Sequence, residues 1–257
     1  MKYPDIDPVL IHIGPFAVRW YGLMYIIGFV IAYFVMRRIS RIRNLDMSRS
    51  DIEDFIAYSV LGLVVGARLG YCFFYNFHFY LANPLKIFAV WQGGMSFHGG
   101  LIGLFITAGL YGLYRKKSFW MIADLGAVAA PPGLFFGRIG NFINGELYGR
   151  VTNMPWGMVF PGAGPLPRHP SQLYEAFLEG LVLFVVLYLL SMKARTQGIV
   201  ISCFLILYGL IRFVLEFFRE PDSQLGFIIA SLTMGQILCL IMIAAGVGLL
   251  AYRLKSN

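Results

Sequence analysis

Charge is what this sequence has least of. Of its 257 residues only 13% are Asp, Glu, Lys or Arg, against about 25% in an ordinary soluble domain. So few charges cannot cover a water-facing surface. A soluble globule, a disordered chain and a coiled coil are therefore excluded, and most of the outer surface is assigned to lipid. Cysteine is sparse as well. Cys72, Cys203 and Cys239 lie far apart inside apolar stretches with no CxxC pair, which disfavours a disulfide framework or zinc site and favours small packed side chains. The 13 acidic residues are dispersed, with no DxxD pair among the apolar segments, so no metal and no other cofactor is expected. The opening MKYPDIDPVL carries acids and prolines where a cleavable signal peptide would need a basic region and an apolar core, so no such peptide is expected. The net charge of +8 comes from basic residues spread between apolar runs. They form no single basic stripe, and a nucleic-acid partner is not expected.

What is abundant is apolar length. Hydrophobic residues make up 58% of the chain, and a membrane-spanning helix needs about 20 of them in succession. Seven segments qualify, at roughly 16–36, 52–74, 96–114, 118–138, 172–192, 198–218 and 234–253. None alternates with period two over short strands, so a barrel is not expected. The fold class that follows is an all-α polytopic membrane protein with seven transmembrane helices, forming a single integral membrane domain over 1–257. Arg37, Arg38, Arg41, Arg43, Arg49, Arg115, Lys116, Lys117, Lys193, Arg195, Arg253 and Lys255 all fall in alternate connections, twelve of the 21 basic residues. The positive-inside rule then puts the N-terminus outside and the C-terminus in the cytoplasm. The long connections, 75–95 and about 139–171, lie on the outer side, as irregular loop segments. Chemistry is expected in the membrane near that face.

Eight ionisable residues sit in or at the ends of these segments: Arg68, His98, Asp124, Arg138, Glu175, Glu179, Arg212 and Glu216. Each costs about 2.5–3.5 kcal/mol at mid-bilayer on insertion scales, so such residues mark internal polar cavities. In the sixth segment Tyr208, Arg212, Glu216 and Arg219 fall within an arc of about 80° on one helical face. Arg212 and Glu216 can pair at i,i+4. Either this is an ion pair tying helices together, or Arg212 turns a free edge to an anionic ligand. Guanidinium donors match phosphate oxygens two at a time.

The stretch 137–150, Gly-Arg-Ile-Gly-Asn-Phe-Ile-Asn-Gly-Glu-Leu-Tyr-Gly-Arg, is the most unusual in the chain. Pro131 and Pro132 are expected to break the helix before it. Four glycines, Arg138, Asn141, Asn144 and Glu146 then suit a phosphate cradle on irregular backbone, or a tight re-entrant turn. Its spacing fits neither a Walker loop nor a dinucleotide fingerprint. His98 is flanked by Gly99, Gly100 and Gly103, which would clear space around the ring, and an ordinary pKa near 6.5 suits a general base. His12 and His78 read as interfacial loop residues. His169 is expected to turn the outer loop into the fifth segment, and Ser171 to cap it. Gly62, Gly66 and Gly70 read as a close-packing stripe.

Taken together, His98-Gly-Gly-Leu-Ile-Gly103, the 137–149 stretch, His169-Pro-Ser-Gln-Leu-Tyr-Glu175, Tyr208…Arg212…Glu216-Phe-Phe-Arg219 and Arg19-Trp-Tyr-Gly22 resemble the bacterial prolipoprotein diacylglyceryl transferases. The resemblance runs from about residue 19 to 222. It implies a transferase of the bacterial cytoplasmic (inner) membrane with its active site toward the periplasm. Such an enzyme moves the diacylglyceryl group of phosphatidylglycerol to the lipobox cysteine thiol of a prolipoprotein and releases glycerol 1-phosphate. It implies Arg138 and Arg212 on the phosphate, with Asn141, Asn144 and Gly149 nearby. Glu216 and Tyr208 would orient Arg212. Glu146 would orient Arg138 or bind headgroup hydroxyls, Tyr21 would line the lipid site and His98 would be the base. Partners are then the phospholipid, the signal-peptide segment and membrane lipids, with the enzyme acting as a monomer. The alternatives are a lipid or solute transporter, which would show charges at mid-depth and a repeat, and a metal-dependent phosphotransferase.

Overall fold

A computed structural model describes residues 1–4, 6–14, 16–90, 93–220, 227–229 and 232–255; for Ile13, Phe16, Phe97, His98 and 227–229 it describes the backbone alone. The chain forms two compact units, one of residues 1–43 with 124–257 and one of residues 44–123.

The larger unit opens with an antiparallel hairpin, β1 (Val9–Ile13) and β2 (Phe16–Arg19). It runs straight into α1 (Trp20–Ile42). The first apolar segment therefore starts its helix four residues later than the sequence suggests, and His12 belongs to a strand. Alternation over so few residues is too short a pattern to separate from the apolar run that follows. α5 (Phe119–Ile143) ends in this unit. It passes through Pro131 and Pro132 and continues eleven residues beyond them. The expected helix break does not occur. Proline's fixed φ is close to helical, so the chain loses the two N–H donors and still continues as helix.

After the loop 144–170 comes an apolar rod, α6 (Ser171–Glu175), a π-helical turn (Ala176–Val182) and α7 (Leu183–Lys193). α8 (Ile199–Leu215) and α9 (Met234–Lys255) pack side by side. A short pairing of β3 (Phe227–Ile229) with β4 (Leu232–Thr233) precedes α9. The start of α8 is held from α5: Asp124 accepts from the backbone N–H groups of Gly198 at 2.7 Å and Ile201 at 2.9 Å. One of the intramembrane acids is thus a helix cap.

The smaller unit holds α2 (Arg49–Phe74), α3 (Phe77–Ala82), a 3-10 turn (Pro84–Phe88) and α4 (Phe97–Arg115). The connection 75–95 is thus partly helical, and His78 lies on α3. α2 begins in a capping box, with Ser48 and Asp51 exchanging side-chain and backbone bonds. Asp51 also holds Arg115 at 2.7 Å and Lys117 at 3.4 Å, pinning the far end of α4 to the start of α2. The bond to Asp46 and the charge of Asp51 raise the Lys117 ammonium above its usual range against a weaker opposing effect of burial. α2 and α4 meet through glycines: an added Cβ on Gly62 or Gly66 would strike backbone of Gly103 or Gly99. The packing stripe is confirmed. Gly99 and Gly103 are its other half and give α2 room to approach.

Seven helical segments therefore cover the seven apolar stretches read from the sequence. Among the described residues five helices are long and apolar enough to cross a membrane: Trp20–Ile42, Arg49–Phe74, Phe119–Ile143, Ser171–Lys193 and Met234–Lys255. α8 is apolar but only 17 residues long. The chain is a polytopic, mostly helical membrane protein.

Candidate functional site

Because α5 does not break, Arg138 and Asn141 project from a helix, not from a loop. The helix ends at Ile143, where the Tyr3 hydroxyl reaches the carbonyls of Phe142 and Ile143. Only 144–150 of the glycine-rich stretch is irregular, with Gly145 and Leu147 at positive φ.

Arg138 and Arg212 meet. Arg138 Nε lies 2.8 Å from Glu175 Oε2, and Arg212 Nη1 donates to that same oxygen, also at 2.8 Å. Glu179 faces both guanidiniums, 3.3 Å from Arg212 Nη1 and 3.8 Å from Arg138 Nη2. Arg219 Nη1 lies 3.7 Å from Glu175 Oε2. The expected i,i+4 pair is present, with Arg212 Nη2 at 3.3 Å from Glu216 Oε2. Glu216 is fixed in turn by the Thr233 hydroxyl at 3.0 Å. The Arg212–Glu216 pair stays at the end of α8, and helices are tied together by Glu175, with several guanidiniums gathered around one of its oxygens.

Close backbone contact makes this possible. A Cβ on Gly180 would sit 2.5 Å from Phe135 Cβ, so only glycine lets the π-helical turn approach α5. That approach brings Glu175 and Glu179 to Arg138. A π-helical turn is wider than an α-turn and recurs at functional sites.

The other predicted residues divide. Glu146 does not orient Arg138: among the described residues no ion pair joins them, and Glu146 Oε1 instead accepts from Asn141 at 2.9 Å and Asn144 at 3.1 Å. The helix end and the first irregular residues thus share one carboxylate, and Glu175 and Glu179 take the place assigned to Glu146. Tyr208 makes no hydrogen bond to Arg212 among the described residues; its ring stacks on Phe204 at 5.5 Å one turn before it. Tyr21 lies against Gly140, whose Cβ would come within 2.8 Å of the ring, and its hydroxyl is 3.0 Å from that of Tyr25. Gly149 is wedged between strands of loop: its N–H donates to the His169 carbonyl at 2.8 Å, and a Cβ there would strike the Phe218 carbonyl. It pairs in antiparallel fashion with Arg219, which links the irregular stretch to the arginine cluster. Gln172 donates to the Glu146 carbonyl at 2.6 Å.

Ser171 is not a cap. Its hydroxyl donates to the Leu147 carbonyl at 3.1 Å, and the residue at the cap position is Pro170. His98 occupies the first turn of α4, and its side chain is outside the described residues. Arg68, buried, gives its donors to main-chain carbonyls of Lys86, Ile87, Ala89, Gly93 and Gly94, so it supports the 3-10 turn and not a ligand. Among the described residues, no three His, Cys, Asp or Glu side chains group so as to hold a metal ion.

Glu175 and Glu179 are the site residues that sequence reasoning left unassigned. Both stood out as acids inside an apolar segment, four apart, and only the fold supplies their partners. Chemically, a set of guanidiniums with buried carboxylates behind them is suited to an anion whose charge grows during reaction.

Residues 8–252 match the family described as prolipoprotein diacylglyceryl transferase. A phosphatidylglycerol–prolipoprotein diacylglyceryl transferase of Geobacter sulfurreducens is 54% identical over 96% of this chain and 95% of its own. Proteins of the same name from Oleidesulfovibrio alaskensis and Photobacterium profundum are 52% and 51% identical, each over 100% of this chain and 97% of their own.

Proposed function

The chain belongs to the prolipoprotein diacylglyceryl transferase family, and we propose that its arginine cluster is where phosphatidylglycerol gives up its diacylglyceryl group to a lipobox cysteine. The enzyme is a transferase of lipoprotein maturation. In the proposed step the cysteine sulfur attacks the diacylglyceryl carbon that carries the phosphate ester. The C–S bond forms, the C–O bond breaks, and the oxygen leaves on glycerol 1-phosphate. The leaving group gains negative charge as it departs. Arg138 and Arg212 are the groups assigned to that charge, since forked guanidinium donors hold phosphate oxygens bidentately and strengthen as charge develops.

The thiol must also lose its proton, because a free thiol with pKa near 8.5 is only slightly ionised at neutral pH. His98 is the proposed acceptor. Asn141, Asn144 and Glu146, held together as a trio, are assigned to the glycerol headgroup, with Gly149 at its edge. Tyr21 is assigned to the lipid site, and Tyr208 and Glu216 to the surroundings of Arg212. We place the enzyme as one seven-span domain in the cytoplasmic membrane, N-terminus and active site toward the periplasm, acting as a monomer without metal or other cofactor. The alternation of basic connections supports that orientation. Both substrates are themselves membrane-borne, so entry from the bilayer follows from their chemistry.

The observation that carries the reading is the shared oxygen: guanidiniums from α5 and α8 stand 2.8 Å from one atom of Glu175. The test uses detergent-solubilised protein, phosphatidylglycerol and a lipobox peptide, with release of glycerol 1-phosphate as the readout. Arg138→Ala and Arg212→Ala are each expected to lose at least about 10²-fold in rate while the protein remains in the membrane. Full activity in either removes the phosphate-clamp assignment. A His98→Asn variant with an unchanged rate across about pH 6–8 removes the base assignment. Absence of glycerol 1-phosphate from the wild-type assay favours a transporter.

A further inference from the structure

Glu175 and Glu179 stand behind both arginines, and their burial differs from that of the groups they hold. The side chains of Arg138 and Arg212 are 16% and 14% exposed, those of Glu175 and Glu179 1% and 0%. The carboxylates are therefore sealed inside, and the guanidiniums reach outward from them. Each arginine is held on part of its donor set. Arg138 uses Nε and Nη2, and Arg212 uses Nη1 and Nη2. Arg138 Nη1 and Arg212 Nε have no partner among the described residues. Glu179 Oε2 is buried with no hydrogen-bond partner among the described residues, and Arg138 Nη2 lies 3.8 Å from it.

Burying two carboxylates side by side is costly, and apolar residues in place of the whole cluster, guanidiniums included, would serve stability as well or better. Their geometry serves something else. One oxygen common to both guanidiniums fixes the distance between them, and a second carboxylate within reach of both restrains their tilt. Among the described residues no ion pair joins α5 directly to α8, so the angle between the two forks is set through α6 and the π-helical turn.

We propose that Glu175 and Glu179 are positioning residues for diacylglyceryl transfer, a single buried carboxylate pair that aims Arg138 and Arg212 together at the substrate phosphate. The inference rests on the phosphate-clamp reading given above. Aim matters most where the leaving oxygen acquires charge, so its loss falls on kcat more than on KM. A merely structural ion-pair knot would lower the amount or the melting temperature of the protein and leave the kcat of the folded fraction alone.

The experiment measures kcat and KM for phosphatidylglycerol, by glycerol 1-phosphate release, in purified folded wild type, E175Q, E179Q, E175D, R138K, R212K and the double variant E175Q/R212K. E175Q and E179Q are each expected to lose about tenfold or more in kcat with a smaller change in KM, and E175D to recover part of the loss. R212K is expected to cost less in the E175Q background than alone, since the fork is already misaimed. Wild-type kcat in folded E175Q and E179Q, or strictly additive losses in the double variant, overturns the proposal. If E175Q does not fold, E179Q decides by the same kcat comparison. R138K and R212K separate the two ideas: wild-type kcat in both defeats the phosphate clamp itself, whereas their loss beside intact E175Q and E179Q leaves the clamp standing and defeats the positioning role.

Discussion

Asp124 shows how much a single buried acid can do without touching a substrate. Its two oxygens take the N–H groups of Gly198 and Ile201, donors that the first turn of any helix leaves unpaired. Asp124→Ala orphans both, and a loss of about 2 kcal/mol is expected, read as a lower melting temperature in detergent with kcat of the folded enzyme retained. His169 offers a second test at this scale. Trp156 donates to the Tyr174 hydroxyl at 2.6 Å, and that hydroxyl lies 3.1 Å from His169 Nδ1. Burial pushes the imidazole below its ordinary 6.5, so the folded protein disfavours the charged ring. The sign follows: the unfolded chain takes up the proton first, and stability present above about pH 6.5 declines as pH falls toward the folded-state value. Melting temperatures measured from pH 8 down to pH 5 should drop, and His169→Gln should flatten the lower part of that curve. A steeper fall in the variant than in the wild type contradicts this.

At the scale of elements, the seven apolar runs were legible because a membrane helix announces itself by sheer length. The structure places helices on all seven stretches. The hairpin 9–19 was not legible, since its few alternating residues merge with the apolar run of α1. Nor was the passage of α5 through Pro131 and Pro132, where the helix-breaking reputation of proline outweighed its helix-compatible φ. The site divides in the same way. Arg212 with Glu216 could be read from i,i+4 spacing alone, but the pairing of Arg138 with Glu175 joins α5 to α6 across a long loop and depends on a π-helical turn that no local pattern signals. Gly180 is the element-level test. Gly180→Val would drive a branched side chain into Phe135, whose Cβ lies 2.5 Å from the new Cβ and whose Cα lies 2.8 Å away. Overpacking of this kind costs about 1–3 kcal/mol or more. The variant should lose transfer activity by well over tenfold, because the turn that carries Glu179 must retreat from α5. Retained activity would show that the approach is slack.

At the scale of the whole molecule, the distribution of basic residues makes a claim that labelling can check. Arg195, between α7 and α8, and Leu166, in the loop before α6, are both exposed. With the orientation proposed above, a membrane-impermeant thiol reagent added to intact spheroplasts labels Leu166→Cys and spares Arg195→Cys; the opposite pattern inverts the topology. Charge within the protein is arranged by a different rule from charge on its flanks. In the arginine cluster, Arg138, Arg212 and Arg219 face Glu175, Glu179 and Glu216, three of each sign. Such parity bears on turnover. A phospholipid headgroup bearing one negative charge arrives at a site with no surplus of either sign, and the glycerol phosphate that remains carries one more. The forks that steady the growing charge must then release it, and the carboxylates already paired with them compete for the same donors, which favours ejection of the spent headgroup.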